Sequence, residues 1–373
     1  MVVGVVLFAL GILLSLVLHE AGHLGAARAF GLKVTRFFVG YGRTLFSFRR
    51  GGTEYGVKAI PVGAFVSIVG MVRQFDDSDD DPRAMWRFPL WKRTVVMTAG
   101  VAANVVFGTV LIWGVFAFTP LPDADRLQRE PVRVATVSDA SAAARLGLRP
   151  GDVVVTLDGR EVRGWDSFTT VVRASGGRTL DVGYRRDGRL RTSSATIPLV
   201  DGAGQLGVTA DVPRSTAGPV GAIALTGTQT ASMVTGTFAA LAHLPERVPA
   251  VWNSLTGDER DPEAPVSMVG ASHLGGQLAD RGEWPSFVLL LAGLNFFLAA
   301  FNLLPLLPLD GGHVSVWWFE RARSRLYARL HRPDPGRVDY LKLAPLTYLA
   351  ILVFAVFTAL TVAADVVNPV RSL

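Results

Sequence analysis

His19-Glu20-Ala21-Gly22-His23 lies inside an apolar run that begins at Val2 and continues past the motif through Leu24, Ala26, Ala27 and Phe30. On a helix, residues four apart stand one above the other, so the two imidazoles share a face and can reach one metal ion. Zinc accepts histidine nitrogen, and Glu20 between them lies close enough to act on a zinc-bound water. Inside a helix that crosses hydrocarbon, two histidines and a glutamate are costly and mark a functional site. The competing reading puts the three in water, where a shorter helix leaves the bilayer; the same cost makes it the weaker one.

The chain has 373 residues, 50% hydrophobic and 18% charged, with a net charge of +6 and a mean hydropathy of +0.35. That composition suits an integral membrane protein carrying a soluble portion. There is no cysteine, so disulfides and thiolate ligands are excluded and any metal is held by His, Asp or Glu. The N-terminus has no basic segment and no small-residue cleavage site before the motif. Residues 1–30 therefore read as a retained first transmembrane helix that stops near Gly31, not as a signal peptide.

Residues 31–93 form a basic connector with two strands, Thr35 to Phe48 and Glu54 to Val69, broken at Gly51-Gly52. The stretch 59–70, which includes Gly63, Ala64 and Phe65, is unusually apolar. A β-hairpin dipping toward the membrane and an ordinary small sheet both fit it. Asp76 to Asp81 reads as a solvated loop. A second span covers 94–118, where Gly100 to Asn104 combines small residues with an amide; close helix packing and a place beside the metal are both open for Asn104.

Residues 131–200 change character. A strand, a short helix begun by Ser141 and ended by Gly147, a turn at Arg149-Pro150-Gly151-Asp152, a second helix near Trp165 to Ala174 and two strands joined at Asp187-Gly188 make a small α/β module. Residues 201–284 are a linker in which Val220 to Leu244 reads as a helix lying at the membrane surface or packed on the core, and not as a span. His243 and His273 have no ligand spacing around them and read as ordinary histidines.

A third span, 285–312, carries Asn295, Asn302, Pro305, Pro308 and Asp310. Its prolines break the helix and free backbone carbonyls, which an extended peptide could pair with. A catalytic zinc site has three protein ligands and an open position; Asp310 is the best third ligand, with His313 as second choice. A fourth span covers 343–367. The loops 31–93 and 313–342 are rich in Arg and Lys close to span ends, which places them in the cytoplasm, and both termini and the α/β module outside.

The motif HEAGH, the apolar glycine-bearing loop, the Gly-to-Asn segment, the module with AAARLGLRPGDVVVTLDGREV and the stretch NLLPLLPLDGGH together resemble the site-2 protease family of intramembrane zinc metalloproteases, in its RseP-like bacterial branch. The resemblance implies an α-helical polytopic membrane protein with four transmembrane helices, an inserted extracytoplasmic PDZ-like α/β domain and a membrane-associated β-hairpin loop. It implies that His19, His23 and Asp310 bind Zn2+, that Glu20 is the general base, that Asn302 helps hold the substrate strand, and that the loop at 59–70 pairs with it. It further implies a bacterial cytoplasmic membrane with the active site toward the cytoplasmic side. Substrates would be single-span membrane proteins such as anti-sigma factors trimmed outside by an upstream site-1 protease, with no nucleic acid involved. The chain departs from that branch in having one PDZ-like module and not two, and in having Ala102 where a proline is often nearby.

The module itself could bind an extended peptide at a sheet edge or act as a steric gate. Two other function classes compete. A receptor or scaffold with a structural metal would not need Glu20, and a transporter, natural to broken helices, would be expected to show an internal repeat.

Overall fold

In the computed structural model, residues 1–71, 81–256, 260–261 and 264–369 are described. The chain divides into two units, Met1–Val115 with Pro219–Leu373, and Phe116–Gly218.

The first unit is mainly helical. α1 (Val2–Ala29) is apolar all round, yet it buries one stripe at helical spacing: Gly4, Phe8, Ile12, Ser15, His19, His23 and Ala27. After it come two strands, β1 (Val34–Arg50) and β2 (Thr53–Ile68), and the long helix α2 (Leu90–Phe118). The strands turn back on themselves. Residues 36–39 of β1 have partners on both sides, Glu54 to Val57 and Ala64 to Ser67 of β2. The expected hairpin is thus a doubled antiparallel sheet. Of the expected acidic loop Asp76 to Asp81, only Asp81 is among the described residues, and it accepts a hydrogen bond from Lys33 Nζ at 2.6 Å.

The C-terminal part of this unit holds α5 (Gly218–Ala242), α6 (Val248–Thr256), α7 (Met268–Asp280), α8 (Trp284–Asn302), α9 (Asp310–Arg329) and α10 (Tyr340–Val367). α7 lies against α1, where Gly275 and Gly276 leave room for Phe8 and Val5. Asn295 of α8 donates to Ser15 Oγ of α1 at 3.0 Å, and both are buried. Asp365 of α10 is buried and accepts from Arg260 Nη2 at 2.7 Å and from the Ser267 backbone N–H at 2.6 Å.

Four helices are long and apolar enough to cross a membrane, among the described residues: α1, α2, α8 and α10. Their bounds differ from those expected. α8 stops at Asn302, ten residues before 312, because 303–309 contains two prolines that cannot supply helical N–H groups. Residues 313–342, expected as a loop, hold most of the helix α9. Its run of Glu, Arg, Ala and Leu has high helix propensity, which the charge density masked.

The second unit is β-rich. A six-stranded antiparallel sheet is formed by β3 (Val132–Val137), β4 (Val153–Leu157), β5 (Thr179–Arg186), β6 (Arg189–Thr196), β7 (Val208–Ala210) and the short Arg160–Glu161 strand. Along the sheet the order is β7, β3, β4, β5, β6. Helices α3 (Ala142–Arg145) and α4 (Trp165–Ala174) pack with this sheet, with Phe168, Leu180, Val182 and Ile197 in the core. Ser141 caps α3 by accepting from Ala144 N–H at 3.2 Å, and Asp187-Gly188 make the turn between β5 and β6 with positive φ.

Asp152, just before β4, is buried and accepts from Arg186 Nε and Nη2 at 2.8 and 2.7 Å and from the Arg149 N–H at 2.8 Å. Burial pushes its carboxyl pKa up, but the Arg186 guanidinium and the Arg149 amide outweigh burial and hold it below the ordinary value. Because the folded-state pKa is the lower one, this stabilisation is complete above about pH 4 and is lost as the pH falls through the folded-state value. Asp152→Asn should destabilise the β-rich unit at neutral pH and flatten its loss of stability below about pH 4. Amide exchange of β4 and β5 in the intact protein, corrected for the intrinsic rate, measures both.

Candidate metal centre

His19 and His23 face inward because α1 buries the stripe they belong to. Their side chains are 8% and 5% exposed, and their Nε2 atoms stand 3.1 Å apart. The two imidazoles are buried against α2, and a glycine is what leaves room for them. A Cβ on Gly100 would overlap His23 Nε2 and sit 2.8 Å from His19 Cε1. Gly22 works from the other side, since a Cβ there would run into the Ala99 carbonyl. Small residues at both faces let the helix backbones come together.

Asp310 arrives from the far end of the chain. The segment 303–309 folds into a tight turn, with Leu309 N–H donating to Leu306 O at 2.8 Å and Gly312 N–H to Leu309 O at 3.0 Å. A side chain at Gly311 or Gly312 would collide with the Leu303 carbonyl or the Leu306-Leu307 peptide, so both glycines are needed for the turn to close on α9. The result sets Asp310 Oδ2 3.0 Å from His19 Nε2 and 3.3 Å from His23 Nε2.

These three atoms form a nearly equilateral triangle with sides of 3.0, 3.1 and 3.3 Å. A tetrahedral zinc with bonds of about 2.0–2.1 Å places its ligand atoms roughly 3.3 Å apart. The donor set, two imidazoles and one carboxylate, is that of an open zinc site. His19, His23 and Asp310 are the group that could hold a metal ion among the described residues.

The backbone fixes which nitrogen is free on His23. Its Nδ1–H donates to the Val96 carbonyl at 2.8 Å, so Nε2 of the neutral ring presents its lone pair to Asp310 and His19. His19 is held by Asn104, whose amide nitrogen stands 3.3 Å from Nδ1 while its Oδ1 is buried without a partner. Glu20 is within electrostatic reach of His19, His23, Asp310 and Tyr41, and beside the Val66 backbone of β2.

Other expected site residues are placed differently. Asn302 is half-buried and its amide donates back to Leu298 O of its own helix at 3.0 Å. Pro305 is exposed in the turn that leads to Asp310. Gly63, Ala64 and Phe65 lie on β2, where Ala64 and Phe65 pair with Val39 and Phe38, and Gly63 has a positive φ of 86° under the Tyr41 ring. His313, the second choice for a ligand, is buried with its Nδ1 3.5 Å from the Tyr340 hydroxyl and is outside the triangle. His273 contacts Gln277 and His243 contacts Glu246. The Val96 carbonyl was invisible in sequence because a backbone acceptor leaves no residue signature; its place one turn before Gly100 is the only hint.

Comparison with known proteins gives a consistent outline. The model for peptidase family M50 matches residues 7–332. The zinc metalloprotease Rip1 of Mycolicibacterium smegmatis is 39% identical, covering 98% of this chain and 98% of its own. Rip1 of Mycobacterium tuberculosis is 39% identical over 99% of this chain and 98% of its own. A probable chloroplastic membrane metalloprotease, ARASP2 of Arabidopsis thaliana, is 30% identical over 83% of this chain and 70% of its own. Among solved structures, the PDZ domain of an SdrC-like protein from Listeria monocytogenes matches 22% of this chain and 87% of its own, at 23% identity and a TM-score of 0.21.

Gly100→Ala should push the imidazole pair out of its triangle. Overpacking of this kind costs about 1–3 kcal/mol, and the purified variant should carry far less zinc than the wild type by elemental analysis. Full zinc occupancy in the variant would show that the close approach is not what positions the histidines.

Proposed function

The chain belongs to peptidase family M50 and is a zinc metalloprotease, and from that premise we propose that it cuts single-span membrane proteins within the bilayer. Anti-sigma factors already trimmed outside by a site-1 protease are the expected substrate class. The observation that carries this reading is the meeting of His19, His23 and Asp310 beside Glu20, on the buried stripe of a helix apolar enough to cross a membrane. Such groups at that depth are functional by default.

In this reading His19, His23 and Asp310 hold the zinc. When bound, zinc lowers the pKa of a water toward neutrality and polarises the scissile carbonyl. Glu20 takes the proton from that water and returns it to the leaving amine. Asn104 sets the tautomer of His19. If its amide is oriented with Oδ1 toward the ring, the orphaned oxygen accepts from Nδ1–H, and Nε2 keeps its lone pair for the metal. His23 is already held that way by Val96.

The substrate has to be extended, because a helical amide is hydrogen-bonded and shielded. The 64–68 end of β2, whose Val66 backbone approaches Glu20, is suited to pair with an unwound strand. Exposed Leu45, Phe46, Ile60 and Val62 on the doubled sheet favour its immersion in lipid. The half-buried Asn302 and exposed Pro305 are the residues assigned to hold the other side of that strand. The basic segments 31–93 and 313–342 favour a position of this end of the site toward the cytoplasm of a bacterial membrane. The β-rich unit, read as PDZ-like, would then lie outside, where it binds the trimmed substrate end or limits access to the site.

Glu20→Gln should keep its zinc and lose activity by about 10²–10⁴-fold, whereas Asp310→Ala should lose the zinc itself. Cleavage of a single-span substrate by purified protein in detergent, with metal content measured in parallel, separates the two; undiminished cleavage by Glu20→Gln would sink the assignment. Asn104→Ala should weaken zinc binding about 10–100-fold against a competing chelator without abolishing the fold.

A further inference from the structure

The N-terminal turn of α2, the exposed side of α9 and the segment 330–339 enclose a cavity of about 590 Å³ that plays no part in the site above. Its walls carry four arginines, Arg93, Arg321, Arg325 and Arg337, against two acids, Glu320 and Asp334. Both acids are already engaged. Glu320 Oε1 accepts from the Val338 N–H at 2.7 Å, and Asp334 Oδ1 accepts from Ser324 Oγ at 2.9 Å and from the Gly336 N–H at 3.0 Å. Arg337 lies over the Trp86 ring at 3.8 Å, whereas the other three arginines are not matched in the same way. Arg93 has its Nε buried without a hydrogen-bond partner, and its guanidinium lies 5.0 Å from the Trp317 ring centre. Arg321 and Arg325 are exposed, and their side chains make no hydrogen bond or ion pair among the described residues. Buried polar groups of folded proteins are nearly always satisfied, so an under-partnered guanidinium on the wall of a cavity with surplus positive charge points to an anion.

The surroundings narrow the kind of anion. Three indoles, Trp91, Trp317 and Trp318, share the cavity wall, and Trp318 Nε1 donates to Thr94 Oγ1 at 3.2 Å, tying α9 to α2 at its rim. α2 is one of the helices apolar enough to span a membrane, and the cavity sits at its first turn. Tryptophan and arginine together at a span end are the composition of the headgroup level. Arginine forks match phosphate oxygens in pairs.

We propose that this cavity binds an organic phosphate, presented by an anionic phospholipid headgroup or by a soluble phosphate ester. The three indoles and the position at a span end favour the lipid. The proposal rests on the membrane-spanning part of the reading above and is independent of proteolysis.

The test uses the full-length protein in a neutral detergent, titrated with phosphatidylglycerol, with phosphatidylcholine of the same chains, and with soluble glycerol 3-phosphate. Thermal unfolding and native mass spectrometry report binding, and zinc content is measured in every sample to verify an intact site. The expected result is saturable stabilisation by phosphatidylglycerol and not by phosphatidylcholine. In the Arg321→Gln/Arg325→Gln double variant the apparent affinity should fall on the order of thirtyfold. A charge-matched control on the β-rich unit, Arg189→Gln/Arg191→Gln, should behave as wild type. Stabilisation by glycerol 3-phosphate alone, lost in the same double variant, would identify the soluble ester as the ligand. Equal response to the two lipids with none to glycerol 3-phosphate, or an unchanged phosphatidylglycerol response in the Arg321→Gln/Arg325→Gln protein, overturns the proposal. Absence of bound zinc from the wild-type protein with lipid selectivity intact would instead count against the proteolytic reading alone.

Discussion

Polar groups placed inside apolar helices must satisfy one another, and the rest of the helical unit follows from that constraint. Two imidazoles, two carboxylates and an amide, those of His19, His23, Glu20, Asp310 and Asn104, lie among α1, α2 and the start of α9. His19, His23 and Asn104 are buried, so each ring nitrogen needs a specific partner. His23 finds the Val96 carbonyl, His19 finds Asn104, and the two remaining nitrogens converge on Asp310. The same constraint operates away from the site, where Asn295 reaches Ser15, and Asp365 is paired with Arg260.

Meeting the constraint requires close helices, and close helices require the absence of side chains. Gly22 and Gly100 face each other's helices at the histidines, while Gly275 and Gly276 play the same part between α7 and α1. α1 is thereby gripped along its length on one stripe, with the rest of its apolar surface left outward: Val2, Val3, Val6, Leu10 and Leu14 are exposed. Outward apolar residues on a helix of that length are what a bilayer accepts and water does not.

Much of this was legible in the sequence because it is local. The i, i+4 histidines, the N-cap at Ser141 and the turn at Asp187-Gly188 depend on neighbours a few residues away, and spacing alone specifies them. Asp310 was legible only through a chemical deficit, two histidines lacking a third ligand, combined with a proline break that lets the chain turn. What did not show was tertiary. The Arg-rich stretch after Asp310 was read for its charge, and its helical propensity was overlooked. The small-residue face of α7 looked like a linker because glycines disfavour an isolated helix; only the presence of Phe8 and Val5 on α1 explains them. The doubled pairing of β1 could not be inferred from its own alternation, since one strand with partners on both sides follows from where the other bends.

The distance along the chain between His19 and Asp310 is 291 residues. At ordinary translation rates a ribosome needs on the order of tens of seconds to cover that stretch. Throughout that interval the histidines are already made but lack their carboxylate partner. A two-histidine half-site with no third ligand is a poor place for zinc, and the triangle of His19, His23 and Asp310 exists only once the chain beyond α8 has been made. A product of this gene truncated anywhere before Asp310 would carry both histidines and lack the carboxylate that meets them in the folded protein.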